Sequence, residues 1–124
     1  MDAGKGTPKN KTIRAALTAA GLLAMAPAAF PECSAPGCYD VYIDELYTEA
    51  LGGVWIRTSG DERLAGCVPD SDVYLRLPAS AVGFRDIYAT LLAAQLAEKR
   101  VSIRINPGSN PCTVAYVTLN RNNW

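Results

Sequence analysis

Period-two alternation of apolar and polar residues organises most of the chain beyond residue 38. In YDVYIDELYTEAL (39–51), Tyr39, Val41 and Ile43 share a face, the phase slips at Asp44-Glu45, and it resumes at Leu46. That slip predicts one long curved strand carrying a bulge. A short helix over Ile43–Leu51 is the competing assignment. VWIRT (54–58) and VYLRL (73–77) read as two further strands, with Leu64–Val68 as a short apolar return between them. VSIRIN (101–106) alternates cleanly, and CTVAYVTL (112–119) closes the pattern. Turn clusters separate these runs at Gly52-Gly53, Ser59–Glu62, Pro69–Asp72 and Pro107–Pro111.

Between the third and fourth main strands the period changes. Over Gly83–Arg100 the residues Phe84, Ile87, Tyr88, Leu91, Ala94 and Gln95 fall on one helical face. Asp86 at the start and Lys99-Arg100 at the end suit the helix dipole. Leu92 and Leu96 widen the apolar surface beyond that face, which fits either a small core or a second face covered by neighbouring subunits. The expected fold is mostly β: five main strands with one helix between the third and fourth, the order of a small OB-fold-like barrel. A closed barrel leaves no sheet edge exposed. An open α+β sheet with the helix on one face is the alternative.

The first 28 residues follow a different pattern. Lys5, Lys9, Lys11 and Arg14 precede an apolar run of twelve, Ala15–Ala26, and Ala26-Pro27-Ala28 places small residues ahead of a cleavage point. This reads as a secretory signal peptide over 1–28, with residues 29–124 as one domain. The run is too short to span a bilayer comfortably; a membrane anchor or a buried helix is the competing reading. The whole chain has 12 basic and 12 acidic residues and no His. Without residues 1–28, 8 basic and 11 acidic groups remain, a net charge of −3 over 96 residues. That balance carries no basic stripe for phosphates, so nucleic acid is not an expected partner.

All four cysteines, Cys33, Cys38, Cys67 and Cys112, lie beyond residue 28. In an exported chain they read as two disulfides out of three pairings. Pro36-Gly37 supplies a turn for a local Cys33–Cys38 bridge. Cys67 and Cys112 would then close a long loop. A four-thiolate metal site would need paired C-x-x-C knuckles, which are absent. No metal and no cofactor is expected, and the localisation expected is secreted or periplasmic, with no membrane span after cleavage.

Ile43-Asp44-Glu45-Leu46, the strand Val54–Thr58, Leu64-Ala65-Gly66-Cys67-Val68 and the helix followed by Val101–Ile105 together resemble the pentameric B subunits of bacterial AB toxins, of the subtilase cytotoxin and typhoid toxin kind. The resemblance covers roughly residues 39–106 and rests on order and scattered residues. It implies an OB-fold, export, assembly into a homopentameric ring with helices lining the centre, and recognition of glycans. Two departures accompany it. Tyr39 stands where those subunits have a Ser that contacts sialic acid. Trp55 stands where they have a Cys, which leaves Cys112 for Cys67.

Chemistry is sparse. The missing His removes His-based general bases and catalytic triads. Asp40, Asp44, Glu45 and Glu49 crowd one strand, but Asp44 and Glu45 are adjacent and would point to opposite faces, unlike an acid–base pair. No G-x-S-x-G, P-loop or dinucleotide fingerprint occurs. Aromatic residues able to stack on sugars or bases are Tyr39, Tyr42, Tyr47, Trp55, Tyr74 and Tyr116. Tyr42 and Asp40 share the polar face opposite Val41 and Ile43, so these two and Tyr39 are the expected ligand contacts. The expected function is an exported, non-enzymatic module that binds a glycan or a host protein. The alternative is a monomeric accessory protein that binds another protein; a small hydrolase comes last.

Overall fold

The computed structural model describes residues 32–122, so the expected signal segment 1–28 lies outside the described residues. Seven strands, one α-helix and one short 3-10 turn make up this part. In chain order they are β1 (Glu32–Ser34), β2 (Gly37–Val41), β3 (Ile43–Thr48), β4 (Val54–Thr58), the 3-10 turn (Glu62–Leu64), β5 (Leu75–Leu77), α1 (Phe84–Leu96), β6 (Val101–Ile105) and β7 (Val114–Thr118). The architecture is mostly β, with two antiparallel sheets and one helix. One sheet has the order β1-β2-β6-β7 and the other β3-β4-β5.

Two expectations need correction. The strands form two sheets and not one closed barrel, and the helix follows the fifth strand where it was expected between the third and fourth. Both differences begin in residues 32–48. The long first strand divides at Tyr42: Val41 pairs with Val101 in one sheet, and Ile43 pairs with Thr58 in the other. The disulfide hairpin then adds β1, where Cys33 lies opposite Cys38. Pairing passes from Ile43↔Thr58 to Glu45↔Arg57, so Asp44 is the extra residue of a bulge, at the point where the alternation slips. No helix forms over Ile43–Leu51. The apolar return at Leu64–Val68 is not a strand either: the 3-10 turn, with Asp61 capping the Arg63 amide, ends at Leu64, and the chain continues in bends.

The helix is shorter than its apolar pattern. It stops at Leu96, and Lys99-Arg100 lie beyond it. The amide of Glu98 donates to Gln95 and that of Lys99 to Ala94, with Glu98 at φ 54. This is a Schellman closure with a glutamate in the left-handed position usually given to glycine.

The core lies between the sheets and α1. Val41, Ile56, Leu75, Leu77, Leu91, Val101, Ile103 and Ile105 are all fully buried. Phe84, Ile87 and Tyr88 pack against this cluster. Leu96, off the main stripe, is exposed. At the crossing of β2 and β6, Gly37 lies so close to the Ile103 carbonyl that a side chain has no room.

Both disulfides form as expected, Cys33–Cys38 and Cys67–Cys112. The second closes a loop of 45 residues and ties the turn region to the start of the last strand. Two intramolecular disulfides suit an oxidising environment. Among the described residues, no helix is long and apolar enough to cross a membrane.

Candidate functional site

The three expected ligand contacts do not converge on one cavity. Tyr39 is half-buried in β2, opposite Glu32. Asp40 has φ 53 and donates its amide to the Ser102 hydroxyl at 3.4 Å, within the register shift between β2 and β6. Tyr42 is exposed at the switch between sheets. Its amide donates to the Ser59 hydroxyl at 2.9 Å, and its ring lies under the Arg100 guanidinium at 5.9 Å. Of the three, only Tyr42 lines a hollow, one of about 630 Å³ shared with Ile43, Asp44, Gln95 and Glu98. That hollow lies between the bulge and the helix end.

A more ordered arrangement occupies the outer face of β3-β4-β5. Strand parity generates it. Val54, Ile56 and Thr58 point inward, so Trp55 and Arg57 point outward; Leu75 and Leu77 point inward, so Arg76 points outward. Register sets Tyr47, Trp55 and Arg76 abreast on three strands. The Tyr47 and Trp55 rings meet edge to face, with centroids 5.8 Å apart and planes at 85°. Tyr74 stands 6.1 Å from Tyr47 at a 45° tilt. The Arg76 guanidinium lies over the indole at 5.1 Å, a cation–π contact.

Carboxylates fix these rings. The Trp55 indole N–H donates to Asp70 Oδ2 at 2.7 Å. The Tyr74 hydroxyl donates to Glu45 Oε1 at 2.6 Å. That bond holds the Tyr74 phenol above its usual pKa, since ionisation would set a phenolate against the Glu45 carboxylate. Asp70 is delivered by a tight turn in which Ser71 and Asp72 both have positive φ, 54 and 66. The turn is closed by paired hydrogen bonds of 2.9 Å between the backbones of Asp70 and Tyr74. Two consecutive left-handed residues without glycine are a costly local conformation. Tyr47, Glu49, Trp55, Asp70, Ser71 and Tyr74 thus line a cleft of about 310 Å³.

The remaining unusual carboxylate is structural. Glu62 is 4% exposed. Its Oε1 accepts the Thr58 amide at 2.6 Å and the Thr58 hydroxyl at 2.9 Å, locking the 3-10 turn to the end of β4. Burial pushes the Glu62 carboxyl above the usual glutamate range, against the pull of these donors. Among the described residues, no three His, Cys, Asp or Glu side chains converge as a metal site.

Sequence reasoning named Tyr47, Trp55 and Tyr74 as aromatic candidates but chose the strand start instead. The parity of Val54–Thr58 and Val73–Leu77 is the signal that sets Trp55 and Tyr74 outward. The missing signal was register, which brings Tyr47 to them. No protein-family model matches the chain, and no curated protein matches it.

Proposed function

We propose that the chain is an exported, non-enzymatic binding module of OB-like organisation, similar in role to toxin B subunits, whose aromatic cleft on β3-β4-β5 holds a carbohydrate. The OB-like reading is supported by the pairing order. The strand divided at Tyr42 pairs with β4 on one side and β6 on the other, and a lone parallel bridge, Arg76↔Thr113, links β5 to the start of β7. Export is supported by the two disulfides and by the basic-then-apolar pattern of residues 1–28.

The observation that carries the glycan reading is the pinned aromatic wall. Tyr47 is 49% exposed, while Trp55 and Tyr74 are each held by a carboxylate and not by the core. Aromatic rings cover the apolar faces of pyranose rings, and carboxylates accept sugar hydroxyls. Preorganised rings lose little entropy on binding. The non-enzymatic reading is supported by three of the acids: Glu45 and Asp70 hold ring donors, and Glu62 is buried in the fold.

A glycan array probed with the wild type and with Trp55→Ala tests this reading. Saccharide binding by the wild type that Trp55→Ala abolishes is the expected result. No saccharide binding, or binding indifferent to Trp55, overturns it. Ring assembly is the second part of the proposal, supported by the exposed Leu96 of α1, Tyr116 of β7 and Leu119 just beyond it. Light scattering at micromolar concentration decides it; a monomer removes the ring and leaves the glycan reading standing.

A further inference from the structure

We infer that the cleft prefers a saccharide carrying a free amine and discriminates against sialylated or uronic-acid-bearing chains. This rests on the glycan reading of the same cleft and adds the sign of the ligand's charge. The charged side chains lining the cleft are Glu49 and Asp70, both acidic. Glu45 stands behind Tyr74 as a third carboxylate. Neither nearby cation is part of the lining: Arg76 lies over the indole, and Arg57 sits abreast of Glu45 across the strands.

The carboxylates also keep acceptor capacity. Asp70 uses Oδ2 for the indole N–H, while Oδ1 has only a long contact of 3.4 Å from the Ser71 hydroxyl. The Glu49 carboxylate has no partner among the described residues. A sugar ammonium offers three donors and a positive charge, so it satisfies these oxygens and is also drawn to the faces of the Tyr and Trp rings. Its N-acetylated counterpart keeps the pyranose ring but loses the charge. A carboxylated sugar brings like charge against Glu49 and Asp70 with no cation in the lining to offset it.

The test is calorimetry at about pH 6, between the titration of ordinary carboxylates and that of amines. Four probes are used: a glucosamine trimer, its fully N-acetylated form, lactose and sialyllactose. The expected result is at least tenfold tighter binding of the free-amine trimer than of the acetylated one, and weaker binding of sialyllactose than of lactose. Glu49→Gln should cut the amine preference to under threefold, because it removes one of the two charges in the lining and leaves the rings in place. Trp55→Ala should remove binding of both trimers. Equal affinity for the two trimers, or sialyllactose binding as tightly as lactose, overturns the charge preference while leaving the glycan reading intact. Retention of the amine trimer by Trp55→Ala also overturns it, since that attraction would not come from the cleft. Failure of all four probes overturns both.

Discussion

The two faces of the three-stranded sheet are made by alternate residues of the same strands, yet they hold themselves together differently. The inner face is Val54, Ile56, Leu75 and Leu77, each 1% exposed or less. Its energy is buried area, which is non-directional and shared among many neighbours. The outer face is Tyr47, Trp55, Arg76 and Tyr74, where the order comes from individual hydrogen bonds and ring contacts of fixed geometry. With the proposed function, a one-residue shift in parity therefore separates stability from recognition. Inner substitutions should change folding without touching ligand preference, and outer ones the reverse.

The largest expected effect lies on the inner face. Ile56→Ala deletes a fully buried side chain. It should lower unfolding free energy by about 2–5 kcal/mol, the range for large-to-small core changes. Urea denaturation measures this, and the fraction that remains folded should keep its saccharide affinity. A loss of affinity in that folded fraction would break the separation. The outer counterpart is Trp55→Ala. Its affinity cost should be about 2 kcal/mol or more, as for a central aromatic anchor. Its stability cost should stay below that of Ile56→Ala, because the indole is only half-buried and its contact with Tyr47 adds about 0.5–1.5 kcal/mol beyond the buried area. If Trp55→Ala unfolds the protein as readily as Ile56→Ala does, the outer face is part of the core.

Much of this sheet was legible beforehand. The alternation of VWIRT sorts Val54, Ile56 and Thr58 from Trp55 and Arg57 without any structure. The slip at Asp44-Glu45 marked the bulge, and the turn at Pro36-Gly37 marked the Cys33–Cys38 bridge. What alternation could not show is which strands lie side by side. Tyr47 and Trp55 meet because Gly52 and Gly53, at φ 99 and 93, turn β3 back onto β4 in one register. Asp70 reaches the indole through a turn at Ser71-Asp72 that contains no glycine to announce it. The division of the first strand at Tyr42 was hidden for a related reason. Val41 and Ile43 are both buried and share a period-two face, although they serve different sheets. Periodicity reports burial and is silent on partners.

Glu62 lies at the boundary between the two faces, a polar group held in the inner layer. Its buried carboxyl has a pKa raised above the ordinary 4.5. The folded state therefore binds that proton more tightly than the unfolded chain. The sign follows: this contribution to stability is fully present below 4.5 and is lost as pH rises through the raised folded value. Glu62→Gln keeps a carbonyl oxygen for the Thr58 amide and hydroxyl and removes the charge. The difference in stability between variant and wild type should grow in the variant's favour as pH rises across that window, and be flat below it. Asp61, whose carboxyl is lowered by the Arg63 side chain, contributes with the opposite sign. A difference that does not change with pH would mean that Glu62 is solvated.

The smallest effect concerns the outer face alone, and tests whether its hydrogen bonds fix the rings. Tyr74 donates to Glu45 at 2.6 Å, and its phenol ionises above the ordinary 10.0 chiefly because of that bond. Glu45→Gln leaves an acceptor for the hydroxyl but removes the negative charge that opposes the phenolate. Spectrophotometric titration should then show one tyrosine ionising closer to 10.0 than in the wild type. The chain has six tyrosines, so Tyr74→Phe is needed to identify the band that moves. Because Tyr74 is outward-facing, neither change should alter urea denaturation at neutral pH noticeably. If the titration of Glu45→Gln overlays that of the wild type, Tyr74 turns freely in solution. The cleft would then be shaped by Trp55 and Tyr47 alone, with only the Asp70 bond fixing a ring.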